Sequence, residues 1–302
     1  MGIDGCRAGW VIASAEGSLD SFGFSLVPSL DAVFEWTDRN GAIVAIDVPI
    51  GLSEDGSRDC DLAARAFLKG HRKSSVFPAP CRATLVAGTY REACELNAHA
   101  GGKKVTKELY NILPKIREVD LLMSPARQAR IRESHPEVIF ATLAGEDAPP
   151  LPPKRQSDGS QRRVEILRWS LPQVSLASLY QERLRITSGR PSEGIDVIIG
   201  RWEALASKPG ANMLALNGPP PGLQPRVPAP AFQGRAGDPF ATEDLAPSQP
   251  RLSGSSLALD DLIDALACLV AAHRLSAGVA RVFPEGEARL LDARGLRMEI
   301  VA

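Results

Sequence analysis

The stretch GAIVAIDVPIGL, residues 41–52, decides the fold: it is apolar almost throughout, then presents one aspartate, Asp47, followed by Pro49 and Gly51. A continuous β-branched run of this kind reads as a strand buried on both faces, in the middle of a parallel or mixed sheet. Pro49 has no donor for a ladder and Gly51 marks a turn, so the strand should end near Val48. Asp47 then lies at the carboxyl end of a central strand, where open α/β sheets place their ligands. An isolated carboxylate there is costly unless it is paired, hydrogen-bonded or on a metal. The plainer alternative, an aspartate capping its own turn, stays open.

Outward from this strand, residues 2–12 carry Ile3, Trp10, Val11 and Ile12 with glycines at 5 and 9, the pattern of strands joined by tight turns. Alternation puts Asp4 on the face opposite Ile3, and Gly5 admits a second backbone or a ligand at close range. A turn aspartate before a glycine accounts for Asp4 equally well. SLDAVFEWTDRN (29–40) has Leu30, Val33, Phe34 and Trp36 at helical spacing, with Ser29 as the expected cap, giving strand, helix, parallel strand. A second helix is expected from about Arg58 to Lys69, stopping at Gly70. Beyond it Lys69, His71, Arg72 and Lys73 lie beside Ser74 and Ser75. Such a cluster suits phosphates, and suits equally a solvated helix end that complements the dipole. Pro114 predicts a kinked or two-part helix in TKELYNILPKIREVDLLMSP. RIRESHPEVIFATLAG (130–145) alternates and reads as a strand with His135 and Glu137 on a shared face.

Between Leu151 and Leu257 the composition shifts, and ten of the 24 prolines fall from Pro209 to Pro250. The expectation is one domain over residues 1–302 with an insertion over 172–256, opening in two short helices and mobile over 208–250. Order returns in SLALDDLIDALACLVAAHRLSAG (256–278), a helix apolar nearly all round and therefore buried. Asp261, Asp264, Ala265, Cys268 and Ala272 share its small-residue face. Acids in a first turn complement the dipole, which explains Asp260; Asp264 lies a turn further in. The tail ends in an alternation suited to an edge strand.

The 302 residues, 44% hydrophobic with net charge −1, suit an ordinary globular chain without a global basic field for nucleic acid. Five cysteines without CxxC spacing argue for a reducing compartment and against zinc. No apolar stretch approaches the roughly 18 residues of a membrane span and no leader is evident, so the expected location is cytoplasmic.

Three segments far apart in sequence thus bring carboxylates to a strand end or a buried helix start: Asp4, Asp47, and Asp261 with Asp264. Acids on a first strand, a central parallel strand and a late helix are the layout of ribonuclease H-like nucleases. As a set, GIDGCRAGWV, IDVPIGL, RDCDLAARAFL, SSVFPAP, PKIREVD, HPEVIFA, DDLIDALA and the closing ARGLRMEIV resemble the DUF429 family of predicted ribonuclease H-like nucleases. The resemblance covers most of Met1 to Arg168 and Leu257 to Val301.

It implies an α/β fold, a ribonuclease H-like mixed sheet flanked by helices, from which the long proline-rich insertion departs. It matches Asp4, Asp47, Asp261 and Asp264 to the acidic positions, and Glu137 to the acid of the strand motif. The implied function is a metal-dependent nuclease that hydrolyses phosphodiester bonds in RNA, DNA or a branched substrate, with two Mg²⁺ or Mn²⁺ ions about 3.5–4 Å apart. Aspartate oxygens are hard donors that suit these ions. Lys69, Arg72, Lys73, Lys115 and Arg117 are the candidates for holding the phosphate backbone. Two other classes compete. An actin-like kinase or ATPase would need a second glycine-rich phosphate loop and an adenosine-binding glycine motif, and neither is present. A catalytically idle scaffold would bind a protein partner through the proline-rich insertion.

Overall fold

The computed structural model describes residues 1–302 except 69, 155, 189–194, 207–256 and 287–289. Strands β1 (Gly2–Cys6), β2 (Gly9–Ala15) and β3 (Phe22–Val27) form an antiparallel meander. Helix α1 (Asp31–Asn40) ends at Gly41, whose φ of 68° is the left-handed turn a glycine adopts without strain. The chain then enters β4 (Val44–Ile46), parallel to β1. Helices α2 (Asp59–Phe67), α3 (Tyr90–His99) and α4 (Lys107–Leu122) precede β5 (Ile131–Glu133), parallel to β4. The sheet order is β3-β2-β1-β4-β5, so β1 and β4 are interior, as the unbroken apolar run required.

The chain continues through α5 (Pro136–Ala144), α6 (Ser157–Leu167), α7 (Leu176–Thr187), α8 (Ile195–Ala206) and α9 (Leu259–Ser276). It closes with a short antiparallel pair, β6 (Val282–Phe283) and β7 (Ile300–Val301), where Val301 also bridges Ser134 beyond β5. No described helix is long and apolar enough to cross a membrane.

Strand alternation sorts the core into two layers. Ile3, Ile12, Val44 and Ile46 pack with Val33 and Phe34 of α1 and with Leu113 and Ile116 of α4. Val11, Ala13 and Ala45 face the other way, onto Ala265, Cys268 and Leu269 of α9. There the helix approaches the sheet backbone to backbone: a Cβ at Gly2 would come within 2.0 Å of the Leu269 nitrogen and 2.2 Å of the Ala265 oxygen. The small-residue face of α9 is what permits the contact, and it carries Asp261 and Asp264 up against β1.

Several expectations change. The amide of Leu30, the N-cap of α1, donates to Glu118 Oε1 of α4 at 2.7 Å; Ser29 is not the cap. Of the kinked or two-part helix expected around Pro114, the two-part form is ruled out: α4 runs through the proline as one element. Residues 136–144 are helical, not a strand: Pro136 occupies the first helical position, where its missing N–H has no intrahelical partner to lose. Glu137 therefore sits in the first turn of α5. The two helices expected at the start of the insertion are α7 and α8, and both dock on the body, Leu179 in the α9-side core and Trp202 with its ring 5.3 Å from that of Trp36. The segment 208–250 expected to be mobile lies outside the described residues.

One buried cation pins the loop after Asp47. Arg58 Nη2 reaches Asp61 Oδ1 at 2.5 Å and Glu133 Oε1 at 2.7 Å, while Nη1 reaches Glu133 Oε2 at 2.7 Å and the Ile50 and Gly51 carbonyls. Glu133 also accepts from the Ile50 amide, and Asp61 from the Ala79 amide. Burial pushes Glu133 up to about 7, against the pull of Arg58. Removing one partner of such a buried, fully hydrogen-bonded set leaves uncompensated charge and costs about 3–5 kcal/mol. Arg58→Met is therefore expected to lose about that much stability in urea titration, with Arg58→Lys, which keeps the charge but not the fork, between it and wild type. A loss below about 1 kcal/mol in Arg58→Met would show the network to be dispensable.

Candidate functional site

The β1–β4 register pairs Gly2 with Ala45 and Ile3 with Ile46. One step on, Asp4 and Asp47 fall side by side, and the Asp47 amide donates to the Ile3 carbonyl at 2.9 Å. Both side chains share the face of Gly2 and Ala45, which α9 covers with Asp261 and Asp264. Asp4 and Asp264 are 7% and 2% exposed, whereas Asp47 and Asp261 are only partly buried, so the cluster opens to solvent on their side.

Lys154, in the segment between α5 and α6, reaches into this cluster. Its Nζ lies 2.6 Å from Asp264 Oδ2 and 3.7 Å from Asp260 Oδ2. The other Asp264 oxygen, Oδ1, is buried without a hydrogen-bond partner among the described residues. Asp261 Oδ2 accepts from the Ala258 amide at 2.7 Å and so also caps α9.

Lys154, with Lys115 also in the field of Asp4 and Asp261, does not balance these carboxylates. Burial drives Asp4 well above the ordinary carboxylate range, and Asp47, Asp264 and Asp261 add repulsion. Burial pushes Asp47 up to about 6, opposed by His135 and reinforced by Asp264. Asp261 also rises to about 6, from burial first and then from Asp260 and Asp264. Asp264 is raised by burial despite Lys154, and Lys154 is held charged chiefly by Asp264. The raised values mean that ionising the cluster is costly, a cost that a further cation would relieve.

The other candidates divide. Glu137 adds to the field on Asp47 and Asp264 but is paired with buried Arg163 at 2.5 Å. Lys115 Nζ donates to the Gly9 carbonyl at 2.5 Å and lies 4.2 Å from the centre of the Trp10 ring; its stem fills the space left by Gly5. Arg117 donates to the carbonyls of Leu85 and Ala87, which ties α4 to the turn before α3. Lys73 is exposed in the 3-10 turn 70–75, which also contains Arg72; Lys69 lies outside the described residues. Nothing in the local sequence singled out Lys154 among 35 lysines and arginines; the signal was indirect, the need of the buried acids for a cation.

As a donor set, these residues suit a hard divalent cation: aspartate oxygens, one buried and unpartnered, in a region short of positive charge. Among the described residues, however, no three acidic, histidine or cysteine side chains converge closely enough to chelate an ion as they stand. Lys154 holds the Asp264 oxygen such an ion would need. A cleft of about 270 Å³ lined by Phe67, Leu68, Glu137, Ala141, Pro150 and Arg281 contains none of the four aspartates.

A family model described as "Protein of unknown function (DUF429)" matches residues 2–289, leaving the closing ARGLRMEIV outside the match. Neither curated proteins nor solved structures gave a match.

The raised carboxylates fix the sign of a pH effect. Because the folded form holds Asp47 up to about 6 against an ordinary 3.8, its contribution is fully present below about pH 4 and is lost as pH rises through 6. Asp47→Asn removes that loss. The variant should match wild type near pH 4 and exceed it by about 1–3 kcal/mol at pH 7, the upper figure being the full shift and the lower allowing for partial exposure. Denaturant titrations across pH 4–7 check this, and a stability difference that does not change with pH would refute it.

Proposed function

The chain belongs to the DUF429 family, and on that premise we propose that it is a divalent-metal-dependent nuclease of ribonuclease H-like fold, hydrolysing phosphodiester bonds at the aspartate cluster. The observation that carries the reading is the side-by-side placement of Asp4 and Asp47 at the ends of the two interior parallel strands, with Asp264 of α9 over them. An antiparallel β3-β2-β1 meander continued by parallel β4 and β5 supports the same fold.

Asp4, Asp47 and Asp264 would hold Mg²⁺ or Mn²⁺, with Asp261 at the rim. Bound there, the ions would supply Lewis-acid polarisation of a phosphate oxygen and a water acidic enough to attack. The chain's own contribution is orientation. The parallel ladder fixes the spacing of Asp4 and Asp47, the Arg58 network holds the loop that follows Asp47, and α9 closes one side. The partly exposed flanks of Asp47 and Asp261 are the side from which a nucleic-acid strand, whether RNA, DNA or branched, would approach. Glu137, being paired with Arg163, acts on the cluster through its field.

The Lys154–Asp264 ion pair favours one second reading, a catalytically idle scaffold whose carboxylates are neutralised internally. A cleavage screen with RNA, DNA and branched substrates, with Mn²⁺, Mg²⁺ or chelator, separates the two. The nuclease reading expects metal-dependent cleavage by wild type and none by Asp47→Asn. Equal cleavage by the variant would remove the site, and an inert wild type with either metal would leave the scaffold.

A further inference from the structure

The side chain that the nuclease reading does not use is Lys154. Its ammonium contacts Asp264 at 2.6 Å and lies in the field of Asp4, while 40% of the side chain remains exposed, so the lysine enters the cluster from the solvent side. It follows two consecutive prolines, Pro152 and Pro153, and precedes α6. Its backbone is anchored: the Lys154 carbonyl accepts from Ser160 Oγ at 2.8 Å, and the Pro152 carbonyl accepts from buried Arg163. A Cβ at Gly159 would come within 2.0 Å of the Pro153 carbonyl oxygen, so the first turn of α6 presses directly on this segment. The stem is thus rooted on α6, and only the four-carbon arm and its ammonium have freedom to leave.

The buried Asp264 Oδ1, which has no hydrogen-bond partner among the described residues, lies on the same carboxylate whose Oδ2 holds the lysine. One oxygen is spent on an internal cation and the other is left unsatisfied, so the carboxylate has acceptor capacity that the lysine does not fill.

We propose that Lys154 is the resident cation of the carboxylate cluster, a side-chain occupant that a divalent ion must displace from Asp264 before the site can close around metal. This rests on the nuclease reading of the same site. In the absence of metal the lysine offsets repulsion among Asp4, Asp47 and Asp264; when metal enters, the ammonium swings outward to the rim, where an anionic phosphate backbone is the group it would meet. Lys154 is a positioning residue here, acting through Asp264.

The test is Mn²⁺ binding to the full-length protein, measured by calorimetry and by loss of the free Mn²⁺ paramagnetic signal, in wild type, Lys154→Met and Lys154→Arg. Methionine keeps most of the length and none of the charge, so Lys154→Met should bind Mn²⁺ about tenfold or more tightly than wild type, with Lys154→Arg close to wild type. Tight binding by Lys154→Met with none by wild type would show a lysine that blocks the site without yielding it, which overturns the displacement and contradicts an active nuclease. Equal affinities in wild type and Lys154→Met overturn the displacement while leaving the metal site standing. No binding by either overturns both. Should Lys154→Met not fold, amine labelling of wild type read by peptide mass spectrometry decides: saturating Mn²⁺ should speed modification of Lys154, and an unchanged rate overturns the proposal.

Discussion

The close approach of α9 to β1 is the constraint from which the rest of this structure follows. Layers that meet through ordinary side chains stand well apart, about 10 Å for two stacked sheets, but Gly2 offers no Cβ and α9 presents Ala265 and Cys268, so the two backbones nearly touch. That contact buries the helix and brings Asp264 down onto the strand that carries Asp4. The parallel β1–β4 ladder adds Asp47. A larger residue at Gly2 would part the layers and dissolve the cluster without altering any acidic residue.

Two buried charge clusters at the same end of the sheet are handled in opposite ways. Around Arg58, the acids Asp61 and Glu133 accept both from the guanidinium and from backbone amides, so their acceptors are largely used. That cluster is structural and locks the loop following Asp47. Around Asp264, among the described residues, one carboxylate oxygen has no hydrogen-bond partner and the only direct cation is a lysine still partly in solvent. Buried polar groups are as a rule satisfied, and departures concentrate where function requires them. The contrast between the two clusters, rather than the mere presence of acids, distinguishes the candidate site from the structural core.

The sheet was legible because its signals are local. The run 41–52 reads as an interior strand, found over 44–46 and so ending two residues before Val48; glycines 5 and 9 lie in the strands that flank the β1–β2 turn; and the buried helix read in 256–278 is found over 259–276. Asp4 and Asp47 were legible for the same reason: an acid that breaks an apolar pattern is visible at once. What was lost depended on partners distant in sequence or on a single residue overriding a pattern. Alternation in residues 130–145 argued for a strand, yet Pro136 at a helix start decided otherwise. Glu118 satisfies the start of α1 from 88 positions away, and Lys154 meets Asp264 across 110, so neither partnership leaves a mark on either segment. Two of the cations proposed to hold phosphate have partners of the same distant kind, since Lys115 and Arg117 donate to backbone carbonyls that only the fold brings to them.

The central claim is that Asp4, Asp47 and Asp264 form a cation site whose closure requires Lys154 to withdraw. The most direct measurement is a crystal structure of the wild-type protein grown with Mn²⁺ and recorded at the manganese edge. The account predicts an anomalous peak within coordination distance of oxygens from these three aspartates, about 2.0–2.3 Å, with the Lys154 ammonium moved off Asp264. A cluster without an anomalous peak at saturating Mn²⁺, and Lys154 still paired with Asp264, would contradict it.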